Sequence, residues 1–245
     1  MRVAVLKKPL LFFFLLFGLL TGSAARADDD QLCLGRPGKD LAAATKACTA
    51  ILQRPLLTPE WKLRALTGRG RLHALQHQFD LALADLSAAV AIDPQNRQVR
   101  LNRAGMYATM GEFRKAMQDT ELLLKKYPND PVLLNNSCWL HAALWELKAA
   151  MTDCRASLAL APKAAETLDS LGMVHLRARN YKEALAAYNA ALAIQPGHAS
   201  SLYVRGVVKR RMGDITGGNA DIRAAGKIAP EVAESFAPYG LTQGN

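Results

Sequence analysis

Residues 138–154 read CWLHAALWELKAAMTDC and set Cys138, His141, Asp153, Cys154 and two tryptophans in one short span. Thiolates beside an imidazole could bind a metal, a reactive thiol pair could exchange electrons, and two cysteines could close a structural crosslink. Tetrahedral zinc needs four converging ligands, and the chain carries no CxxC, CxxCH or HExxH spacing. His73 and His77 share a helix face at a four-residue offset, so a two-histidine metal site is the alternative there. No GxSxG, phosphate-binding loop or recognisable pair of catalytic carboxylates occurs, and GRG at 68–70 lies inside a helical pattern where its glycines serve packing. The reading is therefore a non-enzyme with no catalytic residue, no metal and no cofactor.

The compartment decides how four cysteines behave. Residues 1–27 run from Arg2, Lys7 and Lys8 through an apolar stretch, Leu10 to Leu20, to small residues around Ala25-Arg26-Ala27. That order predicts a secretory signal peptide cleaved after Ala27, and eleven apolar residues are too few to span a bilayer core. No later segment is apolar enough to cross one, and no cysteine marks a lipid attachment point. The expectation is a periplasmic or secreted protein. Loss of Arg2, Lys7, Lys8 and Arg26 lowers the net charge from +10 to +6. A mild positive excess favours acidic partners or an anionic envelope surface, and export argues against nucleic acid as a ligand.

What positions these side chains is a repeat. Pro94, Pro128, Pro162, Pro196 and Pro230 recur at an interval of 34, each closing a helical apolar pattern such as LSAAVAIDP. The units are 63–96, 97–130, 131–164, 165–198 and 199–232. Their eighth place holds Gly70, Ala104, Cys138, Gly172 and Gly206, and their twentieth Ala82, Ala116, Ala150, Ala184 and Gly218. Two helices of a hairpin approach closely only where both lack bulk, so these columns predict the crossing point. Turns such as MGEF, RARNY and MGDI place Gly or Asn where the first helix must stop.

This pattern resembles the tetratricopeptide repeat family, with small residues at places 8, 20 and 27, aromatics near 11 and 24, and proline at 32. Leu171, Gly172, Ala184, Tyr188, Ala191 and Pro196 make the fourth unit the best match. The second departs at Thr120 and Leu123, the fifth at Gly218 and Ile222. The implied fold is all-α, a right-handed superhelical solenoid of antiparallel helix hairpins. Residues 28–62 read as a divergent capping hairpin, EVAESFAPYG after Pro230 as a short closing helix, and 233–245 as the C-terminal cap and tail.

Within this frame Cys138 and Cys154 fall at places 8 and 24, one on each helix of a hairpin, and Cys33 and Cys48 hold matching places in the cap. Two disulfides follow, Cys33–Cys48 and Cys138–Cys154. Place 11 holds His73, His141 and His175 where the family carries a packing aromatic, which makes them structural. Places 7 and 23 pair Arg69 with Asp85, Arg103 with Asp119 and Arg205 with Asp221, which predicts cross-hairpin ion pairs; Ser137 faces Asp153 in the third unit.

The resemblance also implies which side chains face a peptide-binding groove, namely first-helix places 2, 5, 9, 12 and 13. These are Arg64, Thr67 and Arg71; Gln98 and Leu101; Asn135 and Trp139; Glu166, Asp169, Met173 and Arg177; and Tyr203, Arg210 and Arg211. Asn102 and Asn136 match the place-6 asparagines of the family's carboxylate clamp. Place 9 instead holds Arg71, Gly105 and Trp139, so the clamp is incomplete. Trp139 stands out as a binding anchor, with packing against the adjoining repeat as the other reading. The expected function is an exported, non-catalytic protein interaction scaffold holding a peptide or partner protein. The alternative is a periplasmic holdase-like or acidic-ligand-binding accessory protein. Partner identity and oligomeric state are not legible in the sequence.

Overall fold

The computed structural model describes residues 28–35 and 38–241, with the side chain of Pro238 omitted; the expected signal peptide, residues 1–27, and residues 242–245 lie outside them. The described residues are helical with short turns and no strand. A helical stretch over 28–34 precedes α1 (Leu41–Leu52), α2 (Pro59–Leu75), α3 (Phe79–Ile92), α4 (Arg97–Thr109), α5 (Phe113–Lys126) and α6 (Pro131–Ala143). There follow α7 (Leu147–Leu160), α8 (Ala165–Arg177), α9 (Tyr181–Ile194), α10 (Ala199–Arg211), α11 (Ile215–Ile228) and a single turn, α12 (Val232–Ser235). The chain divides after Asn102 into two compact units.

The second helix of each repeat stops where proline dictates. The residue before each repeat proline leaves the α region, at φ/ψ of −133/89° for Asp93, −129/67° for Tyr127, −136/79° for Ala161, −127/80° for Gln195 and −136/98° for Ala229. Proline's Cδ excludes helical geometry from its predecessor, which explains the common stop. Capping side chains start several helices. Thr58 accepts from Trp61 N–H ahead of Pro59, and Asp130 accepts from Val132 and Leu133 N–H at 2.9 and 3.2 Å ahead of Pro131.

The first helix of each repeat stops by a different device. His77, Gly111, Trp145, Arg179 and Gly213, all at place 15, have positive φ between 58° and 94°. The following N–H returns to the carbonyl at place 11, as in Glu112 to Tyr107 at 2.8 Å and Asn180 to His175 at 2.9 Å. This is the Schellman closure. Glycine fills the left-handed position in the second and fifth repeats, but in RARNY it is Arg179 that bends back, one residue before the Asn180 that the sequence points to. A Cβ in this conformation costs about 1–2 kcal/mol. Arg179→Gly is therefore expected to raise the unfolding free energy by about 1 kcal/mol in urea titration, the rest being lost to the freer unfolded chain.

The small columns do mark the crossings. A Cβ on Gly206 would lie 2.7 Å from Gly218 O, and one on Gly172 would lie 2.7 Å from the Tyr188 ring. Places 8 and 24 are in fact complementary in size: Gly172 faces the fully buried Tyr188, Gly70 faces Leu86, and Cys138 meets Cys154. In residues 28–102 the core joins Cys33, Ala44, Cys48, Ile51, Ala65 and Leu72, with a second group around Leu66, Ala89, Val90 and Val99. In residues 103–241 a large core runs from Cys138 through Tyr188 and Tyr203 to Val232, Phe236 and Leu241, beside a smaller one around Ala104, Ala116, Met117 and Leu140. The expected closing helix is two pieces, α12 and a 3₁₀ turn over Ala237–Tyr239 that ends at left-handed Gly240. Pro238 lacks the N–H that would continue an α-helix.

Candidate functional site

The crosslinks and ion pairs define the frame on which any site is built. The sulfurs of Cys33 and Cys48 are 2.10 Å apart and those of Cys138 and Cys154 1.99 Å, and all four side chains are fully buried. Such pairs fit an oxidising, extracytoplasmic environment. Arg69 forks onto Asp85 with Nε and Nη2 at 2.8 and 2.7 Å, and its Nη1 donates to Thr49 of α1 at 3.1 Å. Arg103 holds Asp119 at 2.7 and 2.8 Å, and Arg205 holds Asp221 at the same two distances. Lys209 adds a contact to Asp221 at 2.9 Å. Burial pushes the Asp221 carboxyl up, but the hydrogen bonds from Arg205 and Lys209 outweigh it and hold it below the usual carboxylate value. The hydrogen bonds that Arg69 and Arg103 donate to Asp85 and Asp119 raise the two guanidinium pKa values. In the third repeat Ser137 Oγ donates to Asp153 at 2.6 Å.

The place-11 histidines sit inside these networks. His73 Nδ1 lies 2.7 Å from Gln78 Oε1 with Nε2 3.8 Å from Asp85, and His141 Nδ1 lies 2.6 Å from Glu146 with Nε2 3.6 Å from Asp153. His175 is driven towards its neutral form chiefly by burial. His77 turns aside to meet Phe79 edge-on, with ring centroids 5.8 Å apart. Among the described residues no group of three or more His, Cys, Asp or Glu side chains converges as metal ligands would. Nor is any helix among them long and apolar enough to cross a membrane.

In residues 28–102, five of the sequence-selected residues come together. Arg64, Thr67 and Arg71 of α2 and Gln98 and Asn102 of α4 line a depression of about 410 Å³, floored by Leu34, Leu63 and Val99 beside Cys33. Helical spacing explains the grouping, since places 2, 5 and 9 are one turn apart on one face. Arg64 stacks over Trp61 at 4.9 Å, Arg71 Nη2 donates to Gly35 O at 2.8 Å, and Gln98 Nε2 donates to Asn102 Oδ1 at 2.9 Å. The surface thus offers two cations, amides and a hydroxyl over an apolar floor. Leu101 is half-buried and lies outside the lining.

In residues 103–241 the selected residues separate by environment. Met173 is buried in the core and Asp169 accepts from Ser201 Oγ with His198 Nδ1 at 3.9 Å. Burial outweighs these partners and raises the Asp169 carboxyl pKa. Glu166, held low chiefly by its own backbone N–H, also accepts from Gln195 at 2.9 Å. Asn135 Oδ1 is buried without a hydrogen-bond partner, Asn136 is half-buried, and the Arg210 stem lies against Gly218. Trp139, Arg177, Tyr203 and Arg211 instead lie beside residues 236–241. Trp139 lies edge-on between Phe113 at 5.8 Å and Tyr239 at 5.5 Å. Arg177 stacks on Trp145 at 4.3 Å and, with Arg179, Tyr181, Arg211 and Tyr239, lines a depression of about 320 Å³. Phe113, Phe236 and Tyr239 escaped sequence reasoning; the only signal was the aromatic content of FAPYGL after the last repeat.

Tetratricopeptide repeat family models match residues 73–135 and 165–198. Comparison with curated protein sequences gives no match. A tetratricopeptide repeat protein from Parabacteroides merdae is similar in structure, with 21% identity, a TM-score of 0.65, and 91% of this chain and 90% of that chain covered. A thermophilic protein of the same repeat type from Thermus thermophilus aligns at 18% identity and TM-score 0.63 over 75% of this chain and 97% of its own. The Cut9–Hcn1 hetero-tetramer of APC/C aligns at 16% identity and TM-score 0.66, over 89% of this chain and 42% of that one. At these identities the structural likeness is one of fold: an all-α succession of helix hairpins.

Proposed function

Because the chain is a tetratricopeptide repeat protein, and so a protein interaction scaffold, we propose that it is exported, non-catalytic, and holds an extended partner segment on the first-helix face of its repeats. The observation that carries this reading is the depression in residues 28–102, where Arg64 and Arg71 of one repeat and Gln98 and Asn102 of the next present donors around an apolar floor, beside Thr67, whose hydroxyl donates to Leu63 O at 2.7 Å. An extended peptide needs both: apolar contact for affinity, and donors for its carbonyls and acidic side chains. The two buried cysteine pairs and the order of residues 1–27 support export, with a mature chain beginning at Asp28. The fold itself is of a kind that is typically non-catalytic.

Arg64 and Arg71, and elsewhere Arg177, Arg179 and Arg211, favour an acidic segment as ligand. A photo-crosslinking residue placed at Thr67 or Gln98 in the exported protein is expected to give one discrete adduct. The same residue at exposed Leu81 on α3 should give none. Adducts of many masses that vanish in high salt favour the holdase reading, and equal labelling from Leu81 overturns both.

A further inference from the structure

Residues 236–241 lie on the face that the proposed function assigns to a partner. Phe236 stacks on Tyr203 with centroids 5.4 Å apart and planes 16° from parallel. Tyr239 packs against Phe113 at 5.7 Å and Trp139 at 5.5 Å. Leu241 is buried, and its carbonyl accepts from Tyr203 Oη at 2.9 Å. Three side-chain anchors at relative positions 0, +3 and +5 plus one main-chain hydrogen bond are how a bound peptide is held. Trp139 and Tyr203 are first-helix residues at places 9 and 5. A four-residue helix and one 3₁₀ turn are too short to hold their shape alone, so the face imposes the conformation.

The fit leaves one group unsatisfied. Arg177 Nε is buried without a hydrogen-bond partner beneath this segment, and burial lowers the pKa of the guanidinium. Gly240 lines the same depression in a left-handed conformation that aspartate tolerates. A carboxylate there would supply the acceptor that residues 236–241 lack. A tethered segment competes at high effective concentration, so an incoming one needs such an extra contact to win.

Resting on the scaffold reading, we infer that residues 236–241, FAPYGL, are a built-in occupant of this face, displaced by a partner segment with two aromatics three residues apart, an aliphatic residue two further on and a carboxylate for Arg177. Residues 236–241 are thereby a competitive brake on binding, and their sequence describes the ligand class.

The test uses the full-length chain carrying Phe236→Ala and Tyr239→Ala, a second chain ending at Ser235, and fluorescent peptides spanning residues 230–245. By fluorescence anisotropy, the double variant is expected to bind the natural peptide about tenfold or more tightly than the parent does. A peptide with both aromatics replaced by alanine should not bind, and one with Gly240→Asp should bind tighter, with the gain lost in high salt. Folded variants that fail to bind, or a parent that binds equally well, overturn the inference. So does loss of cooperative melting in both altered chains, which would make the segment a core cap, or a parent dimer held by exchanged ends. The crosslinks at Thr67 and Gln98 lie in residues 28–102, so their success alongside failure here keeps the scaffold reading and removes only this one.

Discussion

Removing the Cys138–Cys154 crosslink lowers the unfolding free energy by about 3 kcal/mol, the chain-entropy value for a loop of 16 residues. The variant that isolates the crosslink is Cys138→Ala with Cys154→Val. Place 8 already carries alanine in the second repeat, and valine keeps bulk at place 24, where Leu86, Thr120 and Tyr188 stand in other repeats. Double alanine would add a cavity to the loss. In a chain of this size the effect corresponds to a fall in melting temperature on the order of 10 °C. Because both sulfurs are fully buried, dithiothreitol must wait for the hairpin to open. Reduction at neutral pH should therefore follow the unfolding rate and accelerate with urea. Reduction as fast as that of an exposed disulfide would show that the hairpin does not enclose the bond.

Replacing Arg69 alone by alanine is expected to cost about 3 kcal/mol, because it strands Asp85, only 7% exposed, with His73 no nearer than 3.8 Å. Replacing Asp85 alone should cost less, since the longer Arg69 side chain can swing towards water and retains its bond to Thr49. Removing both should cost less than the two single losses added together, with a coupling of about 1.5–3 kcal/mol from urea titrations of the four proteins. Simple additivity would reduce the bidentate contact to coincident charges. The same arrangement recurs at Arg103–Asp119 and Arg205–Asp221. Asp221 titrates below its unfolded value, so its share of stability is complete above about pH 4 and is lost as the pH falls through the folded value.

The features legible in the sequence share one property: they recur. Five prolines at a fixed interval give the length of the hairpin, and the place-8 and place-20 columns give its crossing. Cys138 and Cys154 are interpretable because they fall in columns that already face each other, as Gly172 and Tyr188 do. The same reasoning groups Arg64, Thr67 and Arg71. It breaks down at single residues within a column. Nothing about Arg179 announces a left-handed residue, because the closure of the neighbouring backbone imposes that conformation and the side chain does not choose it. Nor does spacing separate Met173, which sinks into the core, from Arg177, which stays on the face.

By itself the sequence determined the hairpins, their length, the turn positions and the pairs that join one helix to its partner, because each is encoded in local patterns repeated along the chain. Only the tertiary structure decided what lies over Trp139. Its neighbour Tyr239 is 100 residues away and belongs to no repeat, so packing of side chains across α5, α6 and α10 fixed that contact without leaving a periodic mark.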